Sequence, residues 1–380
     1  MSFVKRLSLA TLLVMVGWIS CVFAGLASQE IKQFEPDAIA DKQEKKKSES
    51  SRAGKRQGGR IMVEAGLKTT YDSNVFYYSR DEIDVFDAGS YTNDRFTHIK
   101  SVSDVIISPS IDLAYKDLLR GHTFKSGVVV TPHFYAHNKV KDYEDYEFYL
   151  RQYLNKGEFV EFNYGKTPDY MESNLYDRDD ALYKKANYAE DRLTLGYNKP
   201  FARIMSAMVQ YFYVNDDYND NFNEYDMQSN AVRLYLRNAF TSNFTGRIYG
   251  EYVREDARGN MDGTARVESD PSRQIWKINL RGTYDVASRL KMYMQYGIWF
   301  IDYTTGHSVT DDPYHAQRED IFQYIDYNMT YDLTKNIEVF LSYQYAIKDA
   351  NPASDDLSVL DAAILGYERQ QVSFGLKYAF

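Results

Sequence analysis

From Arg60 to the end of the chain, apolar and polar residues take turns in segments about 9–11 residues long, the length a strand needs to cross a bilayer at a tilt. Only a β-strand sends successive side chains to opposite faces, so this period dictates the fold class. Ile61–Tyr71 puts Ile61, Val63, Ala65, Leu67 and Tyr71 on one face and Met62, Glu64, Gly66, Lys68 and Thr70 on the other. Similar segments follow at Val105–Tyr115, Thr123–His137, Tyr146–Leu154, Phe159–Lys166, Arg192–Asn198, Ile204–Val214, Ala231–Arg237, Phe244–Val253, Ile275–Tyr284, Leu290–Phe300, Tyr324–Tyr331, Ile337–Tyr345 and Gln371–Phe380, about fourteen in all. One face carries Leu, Ile, Val, Met and Tyr; the charges fall on the other. Lipid leaves no backbone polar group unpaired, and only a closed barrel pairs every strand edge. The expectation is all-β: a transmembrane, antiparallel up-and-down barrel of 12–16 strands over residues 60–380.

The connections support this. Those near Lys116–Gly121, Asn155–Gly157, Asn198–Pro200, Asn238–Asn243, Asp285–Arg289 and Asp332–Asn336 are short. Those near Asp72–Lys100, Asn138–Asp145, Thr167–Ala189, Asn215–Tyr225, Glu255–Arg273, Asp302–Asp320 and Ile347–Glu368 are mostly much longer. Short periplasmic turns alternating with long extracellular loops are the pattern of an outer-membrane barrel. Any of the long loops, Asp72–Lys100 among them, has the length to fold inward.

The N-terminus reads as an export signal over residues 1–27. Lys5 and Arg6 precede a mostly apolar run from Leu7 to Phe23, and small residues follow at Ala24, Gly25 and Ala27. An uncleaved anchor helix and acylation of Cys21 are the competing readings; Trp18 stands where a lipoprotein signal has Leu. Residues 28–59 are a charged periplasmic leader without a buriable face. Cys21 is the only cysteine, so a processed chain has no thiol chemistry. The 35 tyrosines suit a lipid–water boundary, and a net charge of −9 argues against a nucleic-acid partner.

The chain ends Val372-Ser-Phe374-Gly-Leu376-Lys-Tyr378-Ala-Phe380. Phe374, Leu376, Tyr378 and a terminal Phe380 resemble the last strand of bacterial outer-membrane barrels, which implies recognition by the barrel-assembly machinery. The turn Tyr71-Asp-Ser-Asn-Val-Phe76 resembles that after the first strand of the β-barrel porin 2 family. That likeness implies a pore linked to export of exopolysaccharide or capsule, with outer-membrane lipid and lipopolysaccharide as surroundings. Anionic polysaccharide, or its export apparatus, is then a partner.

Strand parity assigns a lumen. Its cations are Lys68, Lys125, Arg151, Arg192, Arg233, Arg237, Arg247, Lys277, Arg281, Lys291 and Lys377; its acids are Glu64, Asp112, Glu161, Glu251, Asp326 and Glu338. The lumen is expected to be net basic, with the acids concentrated in loops (Asp179-Asp180, Asp216-Asp217, Asp311-Asp312, Asp355-Asp356). Arg233, Arg237, Arg247, Lys277 and Arg281 lie on three consecutive strands, and such a basic ladder favours anions in a pore. A purely structural ladder paired with glutamates is the plainer alternative. Lumen tyrosines at 135, 149, 153, 235, 249 and 293 suit sugar stacking or packing equally.

Little suggests catalysis. His307, Asp311, Asp312 and His315 share one loop, but acids and histidines are common in solvated loops. His133 points inward with no serine assigned to it. No metal, nucleotide or cofactor motif is present. Three functions compete: a pore for anionic solutes or exopolysaccharide, a structural or adhesive surface barrel acting through its loops, and an outer-membrane hydrolase.

Overall fold

The computed structural model describes residues 59–89, 94–177, 182–257, 270–310, 312, 315–351 and 366–380. The export signal and, but for Gly59, the charged leader lie outside the described residues.

Fourteen strands are described: β1 Arg60–Asp72, β2 Asp104–Leu119, β3 His122–Tyr135, β4 Tyr143–Asn155, β5 Glu158–Asp177, β6 Leu182–Ala202, β7 Met205–Tyr218, β8 Met227–Ala239, β9 Phe244–Ala257, β10 Arg273–Ala287, β11 Leu290–Tyr303, β12 Glu319–Asp332, β13 Ile337–Asn351 and β14 Gly366–Ala379. Each pairs antiparallel with its chain neighbours, and β14 returns to β1 to close the cylinder. Every expected segment is a strand. Turns at one end are short, from Arg120-Gly121 to residues 333–336; the long connections gather at the other, the loop end.

Two boundaries differ from expectation. Residues 167–177 and 182–189 are strand and not loop: β5 and β6 stay paired out to Asp177↔Leu182, with register shifts between Thr167 and Tyr170 and between Met171 and Ser173. Those shifts break the two-residue period, which is why the sequence conceals the strand. The β6–β7 turn falls at Arg203-Ile204, with Pro200 still in the ladder opposite Ser206. Proline is tolerated at a strand's end.

The outward rows hold exposed Leu234, Leu236, Ile248, Ile278, Leu341 and Leu376. On β10 this apolar band runs from Trp276 to Tyr284, both exposed. At about 3.3 Å per residue that is roughly 26 Å along the strand, or roughly 20 Å of height at a tilt of about 40°, most of a lipid-facing belt about 25 Å tall. Phe374, Tyr378 and Phe380 are exposed on the same side, and the Phe380 amide donates to the Val63 carbonyl.

The largest buried apolar cluster sits at the loop end. It comprises Val75, Phe76, Tyr78, Phe96, Ile99 and Val102 from the β1–β2 connection, packed on Ile106 (β2), Tyr135 (β3) and Met171 (β5). That connection carries the one α-helix among the described residues, α1, Arg80–Asp87, begun by a capping box in which Ser79 and Glu82 satisfy each other's backbone N–H.

Candidate functional site: the lumen and its plug

The β1–β2 connection bridges the mouth of the barrel. At one edge Arg369 of β14 donates to Asp72 and to the Tyr77 hydroxyl (2.8 Å), and its guanidinium lies 4.6 Å from the Tyr77 ring. At the other, Arg95 sits 5.5 Å from the ring of Tyr183 on β6 and pairs with Glu82. β14 and β6 are almost opposite in the closed order. The described part of the segment therefore reaches across the mouth, held by charged side chains at both edges, and is termed the plug.

Lys141, in the β3–β4 connection, pins the plug from beneath. It is fully buried. Its ammonium donates to the carbonyls of Met171 (2.7 Å) and Glu172 (2.9 Å) and lies between the rings of Phe76 (4.8 Å) and Tyr170 (4.9 Å). Burial drives its pKa from 10.5 down to about 7, against the raising influence of Glu172 and Asp72; Arg369 lowers it further. A released Lys141 would recover the higher value. Between the two pKa values the released form takes up a proton and the docked form does not, so docking strengthens as pH rises from about 7 towards 10.5. Below about 7 both forms are charged and docking bears the whole desolvation cost. Open-channel noise should therefore be greatest at acid pH and fall with alkalinity in planar-bilayer recordings. Lys141→Met should flatten that dependence; an unchanged pH profile would remove Lys141 from the plug's control.

The register aligns the expected lumen residues with one another across the strands and sets others in the same rows. Asp72, Asp104, Asp145, Glu147, Glu190, Asp216, Glu255 and Asp320 point inward, as do Arg273, Lys348 and Arg369. The net-basic lumen is thus corrected: with the full strand lengths counted, acids and bases balance. Asp216, expected in a loop, lies on β7 opposite Glu190. The acid excess belongs to the β1–β7 wall and the basic excess to β8–β14. On the acid wall Arg151 pairs with Glu161 (2.7 Å) and Arg192 with Glu190 (2.9 Å); Lys377 lies 3.9 Å from Glu64. Lys68 has Asp145 as its nearby counter-charge, and Lys291 faces Asp285 across β10.

The basic ladder is divided into two unlike rows. Arg233, Glu251 and Lys277 are cross-strand partners. Glu251 binds both cations, with Lys277 at 2.9 Å. Further towards the turns Arg237, Arg247 and Arg281 are likewise cross-strand partners, and here the central position is itself a cation. Between the rows lie Tyr235, Tyr249 and Asn279. Tyr324 reaches Asn279 (2.7 Å) by lying across Gly297, where a Cβ would come within 2.2 Å of its ring.

A further constellation escaped the sequence. Ser108 Oγ lies 2.9 Å from His133 Nδ1, and His133 Nε2 lies 3.3 Å from Asp145. Ser, His and Asp in sequence suggest acyl transfer, but the setting argues for a staple. Ser108 is only 3% exposed. The β2–β3 ladder lapses between Ile107↔Phe134 and Ile111↔Val130, where the register sets Pro109 against Pro132. Neither proline has an N–H, so the side-chain bond from Ser108 to His133 replaces the missing ladder bonds. The Asp312–His315 pair (3.1 Å) is also buried, with Asp312 accepting the Asp270 amide, and so builds the loop; Asp311 lies outside the described residues.

No family model matches the chain, and no curated protein matches it. The resemblance to the β-barrel porin 2 family thus remains a resemblance. Among solved structures, the outer membrane channel DcaP of Acinetobacter baumannii is similar over 87% of this chain and 100% of its own, at 12% identity and a TM-score of 0.45. A bacterial polysaccharide outer membrane secretin matches over 83% and 98%, at 7% and 0.44. The anion-selective porin from Comamonas acidovorans matches over 85% and 99%, at 9% and 0.39. Likeness this loose transfers no function.

Proposed function

We propose that the chain is an outer-membrane pore that admits anionic solutes along its β8–β10 wall, past a plug at the extracellular mouth. The supporting observation is the row Arg237–Arg247–Arg281, three cations in direct register with no carboxylate between them. Fixed arginines facing a lumen attract anions and repel cations. The apolar outer belt, the export signal and the terminal Phe380 agree with an outer-membrane address and assembly by the barrel machinery. Cargo as large as an acidic polysaccharide would need the plug displaced. The stapling role of Ser108 and His133 favours a transport protein over an enzyme.

The test is a reversal potential across a KCl gradient. Anion preference is expected, and Arg247→Gln with Arg281→Gln should lower the chloride-to-potassium permeability ratio severalfold. Equal selectivity in variant and parent would sink the anion reading. A correctly folded barrel that carried no current would give way to the surface-barrel alternative.

A further inference from the structure

The two rows of the β8–β10 wall share an architecture and differ at its centre. In the first, Glu251 fills the place between Arg233 and Lys277. In the second, Arg247 occupies that place between Arg237 and Arg281. Directly opposed residues on neighbouring strands have Cβ atoms about 4.5–5.5 Å apart, and like charges there repel. No carboxylate adjoins the row on these three strands: the inward residues are Ala239, Thr245 and Thr283 towards the turns and Tyr235, Tyr249 and Asn279 towards the loops. On the flanking strands Ser206 stands opposite Arg237 and Gln295 opposite Arg281. The Nε–H groups of both Arg247 and Arg281 are shielded from solvent and have no acceptor among the described residues. An unsatisfied shielded donor costs free energy. Arg247 and Arg281 thus each keep a shielded donor without the kind of acceptor that Glu251 supplies in the first row.

We propose that Arg237, Arg247 and Arg281 form a saturable binding site for a single tetrahedral oxyanion, inorganic phosphate or the phosphate group of a larger solute. The inference rests on the pore reading for its electrical readout but goes beyond it, since attraction of anions in general requires no defined site. Guanidinium forks match oxyanions by paired N–H···O bonds; chloride, with a single spherical acceptor, does not satisfy two forks at once. Arg281 is held for this by the Tyr293 ring 4.1 Å from its guanidinium, with the Tyr293 hydroxyl tied to Asp326. The row stands close to the turns, so in the proposed orientation it faces the periplasm.

The experiment uses the full folded barrel in planar bilayers carrying KCl current. Inorganic phosphate is titrated on each side in turn, with glucose 6-phosphate and acetate as separate arms. Chloride current should fall along a saturating curve with phosphate, at lower concentration from the turn side. Acetate should do so only weakly. A matching response to glucose 6-phosphate would identify the phosphate group of a solute as ligand; a response to inorganic phosphate alone would restrict the site to the free ion. Arg247→Gln and Arg281→Gln should each raise the midpoint at least tenfold. Lys156→Gln, a turn cation on the opposite wall, should leave it in place. Both arginine variants relieve repulsion, so folding is expected to survive, and the heat-modifiable gel shift of the barrel checks it. A strictly linear response, or variants that titrate like the parent, would overturn the site while leaving anion selectivity intact. If the folded barrel passes no current, the pore reading fails separately. Calorimetric titration of phosphate into the detergent-solubilised barrel then decides the site, and absence of saturable heat would overturn it.

Discussion

Deleting residues 75–98 and joining the ends with a short Gly-Ser linker raises single-channel conductance severalfold. Fourteen strands about 4.8 Å apart and tilted about 40° enclose a backbone cylinder roughly 28 Å across. Side chains narrow it, but a hole of that width would still be large; what limits flow is therefore what lies in it. The plug runs from Arg369 on β14 to Tyr183 on β6 and buries Val75, Phe76, Tyr78 and Phe96 against the wall. None of the described residues in this span belongs to a barrel strand, so the cylinder should still close. Arg369→Gln is the milder counterpart, loosening one edge through Asp72 and Tyr77, and should give flickering rather than a steady increase. If the deletion leaves conductance unchanged while the barrel folds, the segment lies outside the ion path.

The second large effect concerns the outer surface. Leu280→Arg should destabilise the barrel by about 2–4 kcal/mol, the cost of a cation at the bilayer midplane. Leu280 is midway between Trp276 and Tyr284, the exposed aromatics that bound the apolar belt on β10. Its cross-strand neighbours are Ile248 and Tyr296, neither of which offers a counter-charge. One residue along, Arg281→Leu should be neutral or stabilising, because that side chain faces inward into a like-charged row. Equilibrium urea unfolding in phospholipid vesicles measures both. Opposite outcomes at adjacent positions depend on the alternation of faces alone, and equal losses at the two sites would refute the assignment of inside and outside.

Much of this was legible from alternation. All fourteen strands and the faces of Glu64, Lys68, Arg151, Glu161, Arg192 and Lys291 follow from parity, because lipid on one side and water on the other enforce a strict period. The period weakens where β5 and β6 leave the apolar belt. Past Lys166 one face packs Met171 into the loop-end cluster and bulges shift the phase, so the strict alternation is lost and residues 167–189 look like a loop. The same misreading of strand ends hid inward acids such as Glu190, Asp216 and Glu255 and left the lumen looking basic. For the ladder residues, parity gives a face and not a partner. Only register shows that Glu251 neutralises Arg233 and Lys277 while Arg247 meets two more arginines. Ser108 and His133 were likewise a residue on each of two strands until their alignment across β2 and β3 brought them together.

The proline pair on the β2–β3 seam has a mechanical corollary. A cylinder of continuous hydrogen bonds is stiff because every stave is fastened to the next at regular intervals. Here two adjacent staves lack fasteners near the loop end, and a single imidazole bridges the gap. Above that level the same two staves carry Ile106 and Tyr135, the shelf on which the plug rests. The least fastened stretch of this seam therefore lies directly beneath the residues on which the plug is seated.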